Sequence, residues 1–454
     1  MQNNIGQFSS SGFISDPLSV DSARDTLGEH WNWNRSRVTT PARAIEIKTY
    51  QDVQAVIHDD LRFPGPVLAV GSMHSVTDVI VNDKGTLMLM SSLSSVLGLE
   101  GEGSDSVMVR VQAGCSLKAL SIWLAQRGYE LAYQAEIGNA TVGALCTGDS
   151  KDSVLDGPGY FSAYVRQVTY VDREGELISI DEFANPAELA EFRCSFGLRG
   201  IVVECLVAVC KLKLYSSRFS VHRFTGAEEL SLAIHARIVE DVAFQANLLL
   251  PELAAGFAER SLADEEMQQM PEMLCAVEQY REERQRFVQQ GGLGAKPSPP
   301  ALLIHHRWQL INDFTPVNDS LPRLDFQLYE HDLPRLKDVL EKTLEFVNSF
   351  QALHEFKPHG WALYAVRRGP SLAKPYGLYS GGIGTSIILD PYFSDPLDEH
   401  WREFCMQYNR VAIDILGARV SPVQTQWLRK GDFKIPTSMA RSRFTTTYYK
   451  SFLV

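Results

Sequence analysis

The sequence predicts an α+β protein of two domains, and three observations carry that prediction. Short apolar strands alternate with short capped helices through the first 215 residues. Small-residue turns punctuate that half: Gly71-Ser-Met-His-Ser75, Thr141-Val-Gly-Ala-Leu-Cys-Thr-Gly148 and Gly197-Leu-Arg-Gly-Ile-Val-Val-Glu204. Beyond Tyr215 the pattern becomes strand-helix-strand-strand-helix, the grammar of a sheet with helices on one face. With 454 residues the chain is long enough for two or three domains and a large core.

Residues before about Asp21 are polar and Ser-rich and read as a loose arm. From Arg43, Ile45 and Ile47 alternate as a strand, and Thr49 caps a helix carrying Val53, Val56 and Ile57. Val67 to Val70, Leu87 to Met90 and Val107 to Val111 follow as strands, and Ser116 caps a helix with Leu117, Leu120, Trp123 and Leu124 on one side. Gly128 stands where that helix should stop. Val165 to Val171 and Glu176 to Ile180 read as a hairpin around Asp172-Arg-Glu-Gly175, and Cys205 to Leu214 as a further strand. Residues 226–290 read as charged helix, and Gly291 to Pro300 as a loop. Strands are expected at Ala301 to Leu310, Arg323 to Tyr329, Trp361 to Arg367 and Thr385 to Leu389, with helices over Leu333 to Val347 and Trp401 to Ile415. Gly417 stops the last of these.

Composition excludes several classes of function. The net charge of −12, with no Lys/Arg run, disfavours nucleic acid and anionic membranes as partners. No apolar run approaches the ~20 residues of a membrane span. The first ten residues lack the basic and apolar regions of a secretory signal, and the seven cysteines show no C-x-x-C pair, so a reduced, cytoplasmic protein is expected. His305-His306 lacks a further ligand at metal spacing, so no metal is expected. His354 and His359 read as surface or pocket-rim residues. No G-x-S-x-G, G-x-G-x-x-G or P-loop motif occurs. Gly291–Gly294 and Gly381–Gly384 read as loops. A strand ending in Gly71-Ser72 suits close approach to an anion, because unpaired amides and small side chains can wrap a diphosphate.

The order and spacing of the turns, with the strand end Val111-Gln-Ala-Gly-Cys-Ser-Leu117 between them, resemble the FAD-binding half of the vanillyl-alcohol oxidase-type (PCMH-type) flavoproteins, nearest to the sugar-lactone and alditol oxidases. The resemblance runs from about Trp31 to Leu214. It implies a two-domain FAD-binding PCMH-type fold: residues 1–215 bind FAD, 216–420 form a sheet-plus-helices substrate (cap) domain, and 421–454 return to the FAD domain. The resemblance places Val70, Gly71, Ser72, Met73, His74 and Ser75 at the cofactor, with Thr141, Val142, Gly143, Thr147, Gly148, Gly197, Gly200, Ile201 and Val202. His74 matches the position that carries the covalent 8α link to FAD. Glu204 reads equally as a sheet pair or a cofactor contact.

The sequence also departs from the family. Met73 replaces a Gly, so that turn should be less tight. Asn139 and Ala140 stand where bicovalent relatives carry Cys. Asp149-Ser-Lys151 replaces the usual Thr/Ser-His-Gly, Ala365 replaces the carboxylate that accompanies the substrate-facing Arg, and the C-terminal His-Trp-Gly-Lys is missing. The implied chemistry is oxidation of a C–H next to an alcohol or amine of a small molecule, by hydride transfer to flavin N5 with reoxidation by O2 or another acceptor. Arg367, Tyr364 and Gln424 are the residues expected to face the substrate. Two other readings remain at this point. One is a flavin-dependent dehydrogenase or oxidative cyclase of natural-product (secondary) metabolism; the other is a degenerate flavin-binding protein without turnover.

Overall fold

The structure, a computed structural model, describes residues 28–104, 106–133, 137–153, 157–264, 275–289, 301–311, 324–367, 378, 384–439 and 443–454. The arm expected before Asp21, the 291–300 loop and residues 381–383 lie outside the described residues.

Local signals set the first half. Thr49 and Asp52 close a reciprocal capping box at the start of the helix Tyr50–His58, whose Val53, Val56 and Ile57 are buried. That helix links Arg43–Glu46 to Val67–Val70, which flank Thr86–Leu89 in a three-stranded parallel sheet. Ser116 caps Leu117–Ala125, and Gly128, at φ +77°, takes the left-handed turn that follows. A five-stranded antiparallel sheet completes this half, with Ile201–Ala208 between Val165–Val171 and Met108–Gln112. Phe433, Ile435, Tyr449 and Phe452 from the C-terminal segment join its core. Arg443 ties the same segment back, since its carbonyl accepts from Val67 N–H at 2.7 Å.

The second half is built on a nine-stranded sheet. Here the structure corrects two expectations. Residues 226–290 are not continuous helix: only Ala227–Val239 and Cys275–Gln289 are helical, with paired strands Ala243–Leu249 and Ala254–Leu262 between them. Phe244, Ala246 and Leu248 are buried in strict alternation with Gln245 and Asn247. That period of two signals a strand within what had read as a polar helical stretch. Nor do all helices share one face. Ala227–Val239, Leu336–His354 and Glu399–Asn409 pack with Trp361, Leu363 and Ala365, whereas Phe287 of Cys275–Gln289 packs with Phe219 and Leu303 on the opposite face. There Gly256 leaves room that a Cβ would fill at 2.8 Å from the Phe219 ring.

Smaller differences follow the same logic. Ala301–His305 is a strand, but Arg307–Leu310 is a 3-10 turn. The expected strand ending at Tyr329 is broken into Asp325–Phe326 and Tyr329–Asp332. The last helix, capped by Asp398, passes into a π-helical turn at Arg410–Ile415 before Gly417 at φ +67°. Among the described residues no helix is long and apolar enough to cross a membrane.

Candidate functional site

The strand Val67–Val70 delivers the chain into a turn at Gly71–Ser75. Gly71 is required sterically, because a Cβ there would stand 2.1 Å from Thr141 Oγ1. This contact locks the first small-residue turn against the second. Met73 adopts φ +54°, so the chain reaches the left-handed conformation without the expected Gly, at a cost of about 1–2 kcal/mol. The Met73 carbonyl, accepting from Trp33 N–H at 3.1 Å, helps hold it. The backbone N–H groups of Gly71, Ser72, Met73, His74 and Ser75 find no acceptor among the described residues. A run of unpaired amides on such a turn is a concavity for an anion.

His74 follows in this turn. Neither of its buried ring nitrogens has a well-formed hydrogen bond, and Trp33 stacks on the imidazole at 5.5 Å and 26°. Burial lowers the His74 pKa to about 4, with Asn139 offsetting a little of that shift. The ring is therefore neutral at pH 7, with a lone pair available. The segment bearing Gln424 runs alongside: Val76 N–H donates to the Val423 carbonyl at 3.2 Å, and Thr77 O–H to the Pro422 carbonyl at 2.7 Å.

The second turn is mostly a short helix, Val142–Thr147, followed by Gly148. Gly143 N–H donates to the Ala113 carbonyl at 2.8 Å, and a Cβ on Gly114 would stand 1.9 Å from the Met90 carbonyl oxygen. Phe196 N–H donates to the Thr147 carbonyl at 2.8 Å, bringing the third turn onto the second. Gly200, at φ +158°, packs where a Cβ would meet the Tyr170 ring at 2.5 Å, and Ile201 and Val202 open the next strand. Glu204 is held within the sheet: Arg110 pairs with it at 2.5 Å and Tyr50 O–H donates to it at 2.6 Å.

Where the first half meets the large sheet lies an ionic cluster that sequence reasoning did not foresee. Lys151 Nζ is 2.8 Å from Asp149 and 3.9 Å from Glu330, and all three side chains are at most 1% exposed. Glu330 also accepts from Tyr160 O–H at 2.8 Å and Arg419 at 3.1 Å, and Asp149 accepts from Ser421 O–H at 2.9 Å. The replaced segment Asp149-Ser-Lys151 was the only signal for this cluster. Its partners lie far along the chain.

Strand alternation separates the expected substrate residues. Tyr364 and Val366 share the sheet face turned toward the first half, and a Cβ on Gly159 would touch Val366 at 2.6 Å. Arg367 takes the register of Leu363 and Ala365, on the helix-covered face, and pairs with Asp241 at the exposed strand end. The structure thus brings Tyr364 and the Gln424 segment to where the first half meets the large sheet and leaves Arg367 at the exposed strand end. Burial raises the Tyr364 pKa well above the usual phenol value, with Asp390 the first of the charged neighbours that add to the shift.

These features fit FAD: free amides for a diphosphate, glycines that admit a close backbone, and a neutral imidazole with unpaired nitrogens. Residues 41–181 match the family described as an FAD binding domain. The chain therefore carries an FAD-binding domain, FAD is its cofactor, and its fold is that of two-domain FAD-binding oxidases. Its relatives include the D-arabinono-1,4-lactone oxidase of Kluyveromyces lactis, 26% identical over 180 residues, or 39% of this chain and 34% of that protein. They also include the L-gulono-1,4-lactone dehydrogenase of Mycobacterium tuberculosis, 27% identical over 201 residues, 44% of each chain. The chain thus matches less than half the length of these curated relatives. Among solved structures, the fold is shared with the cholesterol oxidase from B. sterolicum (TM-score 0.65, 11% identity, 93% of this chain and 90% of that one). It is shared too with a solvent-stable cholesterol oxidase (TM-score 0.66, 13% identity, 90% and 87%).

Proposed function

We propose that this chain is an FAD-dependent oxidoreductase that oxidises a C–H beside a hydroxyl (or amine) of a small molecule. The observation that carries the reading is the Gly71–Ser75 turn, with its unpaired amides and the orphaned, neutral imidazole of His74. In this reading Val70 to Ser75 cradle the diphosphate, Thr141 to Gly143 with Thr147 and Gly148 line the cofactor, and Gly197 and Gly200 to Val202 border its ring end. FAD, when bound, supplies the hydride acceptor.

The chain's own residues position the substrate and handle its proton. Tyr364 faces the junction between the two halves and Gln424 runs beside the His74 turn. Both are therefore assigned to substrate contact, while Arg367 serves the strand edge. The lactone relatives include both oxidases and a dehydrogenase, so O2 and another acceptor both remain candidate oxidants of the reduced flavin.

The test is direct. Record the visible spectrum of the purified protein, then precipitate it with acid and follow the yellow colour. Colour is expected to stay with the chain through His74 and to be released from His74→Ala. A native protein that is colourless and takes up no added FAD would refute the proposal.

A further inference from the structure

No sequence motif names the group that receives the substrate's hydroxyl proton, and the position of the carboxylate that accompanies Arg367 in relatives is Ala365. The fold brings another carboxyl to the same sheet face. Asp390 lies on Thr385–Phe393, directly opposite Ala362 and two pairs along from the Ile388–Tyr364 pair. Its register is that of Ile388, which packs against the first half, whereas Ile387 and Leu389 pack under the helices. Asp390 is only 7% exposed. One carboxyl oxygen accepts from Tyr329 N–H at 3.3 Å, and the other has no hydrogen-bond partner among the described residues. The carboxyl is thus anchored through one oxygen, and the second is left without a hydrogen bond on a strand position that shares its face with Ile388 and Tyr364.

We propose that Asp390 is the catalytic base, accepting the substrate's hydroxyl proton on its second oxygen. The inference rests on the flavin-dependent oxidation proposed above. The balance is simple. The substrate O–H bond breaks and its proton bonds to the Asp390 carboxylate. The O–H electron pair becomes the second bond of a new carbonyl, and the adjacent C–H leaves with its electron pair as hydride to the bound FAD. The substrate is oxidised by two electrons and the flavin is reduced by two.

The charged and titratable groups that act on this carboxyl are Lys151 and Asp149 from the segment after the second turn, Tyr364 on one neighbouring strand, Tyr329 beside Glu330 on the other, and Tyr408 from the helix Glu399–Asn409. Burial raises the Asp390 pKa, Lys151 opposes the rise and Asp149 adds to it. A base with a raised pKa works only once ionised, so flavin reduction should accelerate as pH rises through that pKa.

The experiment compares wild type with Asp390→Asn and Asp390→Glu, all loaded with FAD. Each is mixed anaerobically with aldonolactones, alditols and simple secondary alcohols while flavin bleaching is followed against pH. pH-difference infrared spectra of the loaded proteins report the carboxyl C=O band without turnover. The expected result is full FAD content in Asp390→Asn, bleaching slower by about 10²–10⁴-fold with a flat pH profile, partial recovery in Asp390→Glu, and loss of one infrared carboxyl band. Near-wild-type bleaching with an unchanged pH profile in Asp390→Asn would overturn the assignment, as would an infrared titration showing no raised carboxyl. Failure of both variants to fold or hold FAD would overturn it in favour of a structural role. A wild type that binds FAD but is bleached by none of the alcohols would instead count against the parent reading, and the assignment would fall with it.

Discussion

Replacing Lys151 with methionine tests how the two halves of the molecule are held together. The ammonium group lies between Asp149 and Glu330 with no solvent access. Methionine fills most of the same volume, so packing is largely kept while the charge is lost. Glu330 retains Arg419 and the Tyr160 hydroxyl, but among the described residues Asp149 is left with only the Ser421 hydroxyl. Breaking a buried pair from one side typically costs about 3–5 kcal/mol, because the remaining charge is neither solvated nor paired. Most of that cost should fall on Asp149. Neutralising it as well, in Lys151→Met/Asp149→Asn, should therefore recover at least half of the loss. The assay is thermal unfolding of the FAD-loaded protein at one scan rate, with FAD content checked for each variant. At about 2–4 °C per kcal/mol in domains of 150–250 residues, the single variant should melt roughly 6–20 °C lower. A single variant within 1 °C of wild type, or a double variant less stable than the single, would refute this account of the cluster.

Two other predictions follow from the geometry. Gly71→Ala should lose bound FAD, measured as flavin absorbance per chain, because its Cβ would meet Thr141 Oγ1 at 2.1 Å and push the turn away from the second loop. Adding Thr141→Ala removes that oxygen and should restore part of the absorbance. Buried neutral histidines should make the protein acid-sensitive. Burial lowers the His331 pKa from 6.5 to about 3, so the unfolded chain binds the proton first as pH falls. Stability is then fully present above 6.5 and is lost on the way down, by about 2 kcal/mol between pH 6.5 and 5. His331→Leu should flatten the pH dependence of urea unfolding over that interval by this amount; an unchanged slope would count against it. Asp325, raised by burial to about 6, acts in the opposite direction in both proteins and so cancels in the comparison.

What was legible in the sequence was local. Thr49 and Ser116 announced their helices because a capping side chain bonds amides two or three residues away. The Gly71 and Gly200 turns were visible because close approach of backbones demands the smallest residue. The strands at Ala243–Leu249 and Ala254–Leu262 were missed although Phe244, Ala246 and Leu248 carried their period, since the charges on either side suggested one long helix. The placing of Arg367 was also readable in principle: it shares its parity with Trp361, Leu363 and Ala365, the face that became core.

The sequence by itself determined the FAD-binding architecture and the position of His74, because both are written in short stretches whose turns form from their own backbone requirements. Only the tertiary structure decided that Lys151 meets Glu330 and that Asp390 shares a face with Tyr364. Those meetings depend on strand register and on the docking of one half against the other, and no local preference encodes either.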